Sequence, residues 1–438
     1  MTNLEKQAIL QTIDIQGKNQ GVLSDWDIAI KDNVNIEDTL TTGSSKLLDN
    51  HISIYNATII EKLLEAGAHL TAKTSLDELA MGGSNRTAAT GPVSNPYDEN
   101  RISGGSSGGS AALVGAGLVK AAIGTDTGDS IRKPAAYCGV VGIKPTYGRI
   151  SRYGVIPYAA SLDHVGVFSQ NVKDAATLLN VLAGRDDKDM TSSFNSVEDY
   201  TALFDMDLSG KRIGVFKSVH DTIENEETLN LYQSFENKLK EQGAIIVNKT
   251  MDMSLLKSVL GTYAIIANAE ASSNHANLDG VRFGHQVLGD DLESTMMKTR
   301  GRGFGLDTKK RFIFGGYCFK AGKDEILFNK AKRVRRLIVD AYAELFDDID
   351  VLVSIAAPNI APLIEENSMT SFTDEYLVAD NYMAIDNLSG YPSMTIPLGF
   401  QNEMPMGLNI STRPFEESTL LAFAHEFEKL IDWKGRFF

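Results

Sequence analysis

Three groups in this chain could make up a nucleophilic site: the serine pair Ser106-Ser107, the serine at Ser130, and the lysine at Lys31. A serine hydroxyl attacks a carbonyl slowly near neutral pH unless a base takes its proton. A lysine can be that base when burial leaves it uncharged. Lys31 follows the apolar run Ile28-Ala29-Ile30, which would place it at the end of a buried strand. Taken alone, the residues favour the plainer reading, a solvated strand-end lysine. Two known serine motifs overlap the same stretches. Gly104-Gly105-Ser106-Ser107-Gly108 fits G-x-S-x-G, but that elbow needs a strand before it, and NPYDENRIS is polar and turn-like. Ser130-Ile131-Arg132-Lys133 fits S-x-x-K, which needs a helix to carry the lysine one turn past the serine. Pro134 is expected to push Lys133 out of helical geometry, and neither S-D-N nor K-T-G follows.

The elements that must position these groups alternate between helix and strand. Asn56 is read as the cap of a helix with Ile59, Ile60, Leu63 and Leu64 on one stripe and Gly67 as its stop. Strands are expected over 68–73, 211–216, 244–247, 349–356 and 393–399, and helices over 173–182, 222–242 and 417–430. Such alternation predicts an α/β fold with helices over a mainly parallel or mixed sheet. No internal repeat or low-complexity tract is present, and the polar segment of about 184–209 reads as a surface excursion. Residues 101–154 differ from the rest: glycine and serine are dense but interleaved with apolar residues, so the segment is not a flexible linker. Glycine at this density marks backbone that turns sharply or approaches something closely. A turn-rich core and a cradle for substrate explain it about equally well.

Composition removes several classes. With 42 basic against 57 acidic residues the formal charge is −15, too acidic a surface to grip nucleic acid unaided. Cys138 and Cys318 are far apart in apolar surroundings and read as buried hydrophobes, not a disulfide framework. No P-loop fits around Lys144, and the seven histidines form neither H-x-H nor H-E-x-x-H, so no metal site is expected. The N-terminus carries no recognisable leader and no run of about 18 apolar residues occurs, so the cytoplasm is the expected location.

The strings IAIKDNV, GGSSGGSAA, GTDTGDSIRKPAAYCGVVGIKPTYGRISRYG and SLDHVG, with ANAEASSN, DGVRFG, KKRFIFGGY and PMGLNIS, resemble the amidase signature family across nearly the whole chain. Within it they are most similar to the A-subunit group of tRNA-dependent amidotransferases. The resemblance implies one amidase domain over 1–438, with a signature core at about 70–170 and a central mixed sheet covered by helices on both faces. It implies a Ser-cisSer-Lys triad: Ser130 the nucleophile, Ser106 the bridge beside a cis peptide bond, Lys31 the base. The backbone N–H groups of Thr127, Gly128, Asp129 and Ser130 would hold the oxyanion. Arg311 and Asp380, otherwise ordinary surface charges, would bind the carboxylate and ammonium of glutamine, a pairing that suits those ions. Asp126 and Arg132 are expected to be a structural ion pair that shapes the loop.

The resemblance further implies no cofactor in this chain. ATP and Mg²⁺ would sit on a partner, the B subunit, which also handles the tRNA, and a small third subunit (C or an equivalent) would complete a heterotrimer. The other readings are a stand-alone amidase on another small amide and a catalytically impaired scaffold subunit. Two positions depart from the pattern. Asp129 stands where glycine is usual, which would impose strain at a positive φ and bring a carboxylate near the oxyanion site; lower or more selectively tuned glutaminase activity is expected. Only 30 residues precede Lys31, and Asp27 replaces a usual proline. Altered subunit docking is the expected result, with a mitochondrial matrix location as the alternative.

Overall fold

The structure, a computed structural model, describes residues 1–320, 322–365, 372–431 and 433–435. Among the described residues eleven strands are present: β1 Ile9–Gln16, β2 Asp27–Lys31, β3 His69–Thr74, β4 Ala121–Asp126, β5 Val141–Lys144, β6 His164–Ser169, β7 Arg212–Phe216, β8 Ile245–Lys249, β9 Val351–Ile355, β10 Ser393–Gln401 and β11 Met404–Ser411. They form one sheet in the order β1-β3-β2-β4-β6-β5-β10-β11-β9-β7-β8. The pairs β2–β3, β2–β4, β7–β8 and β7–β9 are parallel and the other six antiparallel, so the sheet is mixed.

Side chains alternate across a strand, so each strand feeds both faces of the sheet. On one face Ile28, Ile30, Ile123, Val165 and Val167 pack with Ile59, Ile60 and Leu63 of the helix Thr58–Glu65 and with the helix Val172–Leu182. On the other, Ala29, Ala72, Ala122 and Phe168 meet the helices Gly108–Gly115 and Arg132–Cys138. Small residues on this second face let the helix Gly108–Gly115 lie close to the sheet. A Cβ on Gly109 would come within 2.6 Å of the Ser75 carbonyl oxygen, so that helix cannot carry a larger residue there. The dense glycine of 101–154 is therefore a matter of close packing as well as turning.

Strands β3, β7, β8, β9 and β10 fall where the sequence predicts them, as do the helices Val172–Leu182 and Glu417–Ile431. Three expectations need correction. Asn56 does not cap the helix Thr58–Glu65: its side-chain oxygen accepts the Glu37 N–H at 2.8 Å, and Ala57 precedes the helix with no side-chain cap. The helix expected from Thr222 begins at Glu226, because Asn225 Oδ1 accepts the N–H groups of Glu227 and Thr228. Pro134 does not expel Lys133 from helical geometry. Both lie in the first turn of Arg132–Cys138, where proline removes an N–H that has no helical acceptor anyway. Residues 184–209 carry no helix or named strand and are pinned by Arg149, which donates to the carbonyls of Asn195 and Ser196 and to Tyr200 Oη.

Candidate active site

Lys31 ends β2, and β2 lies beside β4 in parallel register, Ile30 opposite Ile123. The lysine is therefore carried to the C-terminal end of the parallel strands, next to the loop that follows β4. It is completely buried. Its Nζ lies 2.8 Å from Ser106 Oγ, 2.7 Å from Ser107 Oγ and 2.8 Å from Thr125 Oγ1. No carboxylate touches it among the described residues. Burial drives its pKa from 10.5 down to about 7, against the pull of Asp77, Asp126 and Asp163. The solvated strand-end reading is thus set aside by the fold.

Ser106 is reached through a cis Gly105–Ser106 peptide bond. The Gly105 N–H donates to the Gly83 carbonyl at 2.9 Å, and the Ser106 carbonyl accepts the Asp77 N–H at 3.1 Å. A Cβ on Gly105 would lie 2.0 Å from Asp77 Oδ2, so only glycine fits. The serine run then turns into the helix Gly108–Gly115.

The loop after β4 brings Ser130 alongside: the Ser107 N–H donates to the Ser130 carbonyl at 3.3 Å, and Ser130 is buried. The loop's shape comes from Asp126 and Arg132, as expected of a structural pair. The Asp126 carboxylate accepts from the Ile131 N–H and from Arg132. Arg132, fully buried, also donates to the Gly128 carbonyl, Asp386, Asn387 and Ser393. Although burial opposes its charged form, the Arg132 guanidinium holds Asp126 below the usual carboxylate range. The carbonyls of Gly128, Asp129 and Ser130 are all engaged, while the N–H groups of Gly128, Asp129 and Ser130 donate to no protein acceptor among the described residues. Free N–H groups at a buried turn are suited to an anionic oxygen.

Asp129 does not occupy positive φ, so the expected strain is absent. Its carboxylate turns to Lys133, Oδ2 to Nζ 3.1 Å, and the same ammonium meets Asp380 Oδ1 at 3.0 Å. Asp380 is thereby brought to the residue preceding Ser130. Arg311 lies on the helix Leu306–Cys318, and its guanidinium donates to Tyr158 Oη at 3.2 Å. Tyr263 packs against the loop: its ring would meet a Cβ on Gly128 at 2.9 Å, and burial pushes its hydroxyl well above the usual range. A cavity of about 320 Å³ opens beside Thr125 and Thr127 and is lined also by Asn33, Tyr158, Asp163 and His164. Burial pushes Asp163 up to about 6 although it accepts from Thr127 Oγ1 at 2.7 Å.

Reading along the sequence misses Ser107 and Thr125 as partners of the lysine, and it misses Lys133. The serine run and the S-x-x-K spacing are the available signals. For metals, Asp205, His425 and Glu426 are the one cluster among the described residues with ligand atoms close together, and Lys429 already bridges its two carboxylates.

A profile of the Amidase family matches residues 2–421. The chain belongs to the amidase family. Among its amidase relatives, the A subunit of glutamyl-tRNA(Gln) amidotransferase from Sulfurihydrogenibium sp. is 41% identical over 94% of this chain and 84% of that protein. The protein of the same name from Methanosarcina acetivorans is 42% identical over 96% and 87%. The crystal structure of the corresponding glutamyl-tRNA(Gln) amidotransferase chain from Thermotoga maritima superposes with a TM-score of 0.82 at 34% identity, covering 96% of this chain and 87% of that one. The amidase fold also serves other substrates: a peptide amidase from Stenotrophomonas maltophilia superposes at 0.80 with 27% identity over 99% and 91%.

Proposed function

We propose that this amidase-family chain is the glutaminase component of a tRNA-dependent amidotransferase. The observation that carries the chemistry is a fully buried lysine, its pKa lowered by burial to about 7, 2.8 Å from Ser106 Oγ and one backbone hydrogen bond from the Ser130 loop. Lys31 takes the Ser106 proton as Ser106 takes that of Ser130. Ser130 Oγ bonds to the side-chain amide carbon of glutamine, and the carbonyl electron pair moves to an oxygen received by the N–H groups of the Thr127–Ser130 loop. When the C–N bond breaks, the proton returns through Ser106 to the leaving nitrogen, and ammonia departs. Water then hydrolyses the acyl-enzyme by the same relay.

The identity to amidotransferase A subunits, together with a cationic Arg311 and an anionic Asp380 flanking the loop, supports glutamine over a plain amide. The −15 charge fits a chain that leaves tRNA, ATP and Mg²⁺ to its B subunit and is held by a small third subunit. No helix among the described residues is long and apolar enough to cross a membrane, and the cytoplasm is the location proposed. A second reading, hydrolysis of another small amide, is favoured by one observation: Lys133 already engages Asp380. The test is ammonia release from glutamine by the chain co-expressed with its partner subunits, against Ser130→Ala. Release that vanishes in the variant supports the glutaminase. Release only from other amides selects the second reading.

A further inference from the structure

One buried cluster has charges that the relay does not use. Lys133 sits in the first turn of the helix that starts directly behind the nucleophile, and its side chain is 8% exposed. Its ammonium has three acceptors: Asp129 Oδ2, Asp380 Oδ1 and the Asp380 carbonyl. An ammonium offers three donors, so Lys133 is saturated and has none left for a substrate carboxylate. The second oxygen of Asp380 makes no hydrogen bond or ion pair among the described residues, and a third of its side chain is exposed. Two carboxylates around one ammonium leave a single net negative charge.

We propose that Lys133 is a positioning residue for glutamine hydrolysis: it draws the Asp129 carboxylate away from the free N–H groups of the nucleophile loop and holds the Asp129–Lys133–Asp380 cluster at the one negative charge that receives the substrate's ammonium. The inference rests on the glutaminase reading. Without Lys133, two carboxylates face the site, and Asp129, one residue before the nucleophile, opposes the negative charge that develops on the substrate oxygen. Without Asp129, Lys133 cancels Asp380, and a substrate ammonium meets a neutral pair. Removing both restores the single negative charge. Asp129 and Lys133 thus form a matched pair, each harmful without the other.

The experiment compares Asp129→Gly, Lys133→Met and the double variant, each in the complex with its partner subunits. Ammonia release gives kcat and KM for glutamine, and mass spectrometry follows labelling of Ser130 by phenylmethanesulfonyl fluoride, which has no ammonium. Asp129→Gly is expected to raise KM by about tenfold or more, the worth of one hydrogen bond to a charged group, with kcat nearly kept. Lys133→Met is expected to lower kcat and Ser130 labelling by about ten- to a hundredfold. The double variant is expected to recover both values to within about threefold of wild type. A structural role alone would not separate KM from kcat or let a second substitution rescue the first.

Effects that multiply in the double variant overturn the proposal, as does an unchanged kcat in a folded Lys133→Met. If that variant does not fold, Asp129→Gly and the double variant decide the matter, and a double variant with KM no lower than that of Asp129→Gly overturns it. A wild-type complex that neither releases ammonia from glutamine nor labels at Ser130 removes the functional reading and this inference with it. An active wild type with unmoved variants removes the inference alone.

Discussion

The burial of Lys31 sets a quantitative expectation for pH. With a pKa of about 7 the amine is mostly neutral at pH 7.5, whereas at pH 6 about one tenth of the molecules hold a competent base. The kcat/KM for glutamine is therefore expected to fall about tenfold per pH unit below 7 and to be flat above 8, a limb that Lys31→Met abolishes with a loss of about 10²- to 10⁴-fold. The same shift acts on folding. Burial lowers the folded-state pKa from 10.5, so between pH 7 and 10.5 the unfolded chain binds more protons than the folded one. The cost to folding is full below pH 7 and fades as the pH rises toward 10.5. Replacing Lys31 by methionine removes that cost, and its stability relative to wild type should decline by about 3 kcal/mol from pH 6 to pH 9. Urea unfolding at both pH values reads the difference. An acid limb centred at 9 or above, or a relative stability of Lys31→Met that does not change with pH, would refute the argument from burial.

Three further outcomes follow from the geometry. Arg311→Met is expected to raise KM for glutamine by about ten- to a hundredfold while leaving hydrolysis of an amide without a carboxylate unchanged; equal losses on both substrates would deny Arg311 its recognition role. Gly105→Ala would press a methyl against the Asp77 carboxylate and the Ser84 and Asn85 nitrogens, so loss of soluble protein or a fall of more than about 3 kcal/mol in stability is expected in thermal unfolding. Arg132→Met leaves Asp126 and Asp386 buried without their cation and should cost about 3–5 kcal/mol; a melting temperature within a degree of wild type would contradict the pairing.

Much of the frame is legible in the sequence because its signals are local. Ile28-Ala29-Ile30 marks β2 and so the position of Lys31, and the apolar runs at β7, β9 and β10 are bounded by turn residues. Other parts resist a reading along the chain. β1, β4 and β6 carry no such signal, since fully buried strands such as AAIGTD lack alternation and β1 is broken by register shifts against β3. The burial that lowers the Lys31 pKa comes from packing that includes Ser106, Ser107 and Thr125, which lie 75 to 94 residues away. The physics of the neighbouring residues therefore favours the wrong reading, and only the family resemblance names the base. The strain assigned to Asp129 misjudges a loop whose turn is set by Arg132, and its ion pair with Lys133 follows from a helix turn that Pro134, read alone, argues against.

The position of β10 in the sheet has a consequence for how the protein is made. The segment from β1 to β6 contains Lys31, Ser106 and Ser130, and all of it leaves the ribosome before β10 is synthesised. Until the helix Ala384–Ser389 and β10 arrive, β5 has an open edge on the side where β10 will pair, and Arg132 is without Asp386, Asn387 and Ser393. The nascent half-sheet thus holds Lys31, Ser106 and Ser130 alongside a buried cation still missing most of its partners. An open edge and an unsatisfied core charge are features that chaperones and aggregation both act on. A chain cut short of Ser393 is accordingly expected to emerge as an insoluble fragment, not as a smaller amidase.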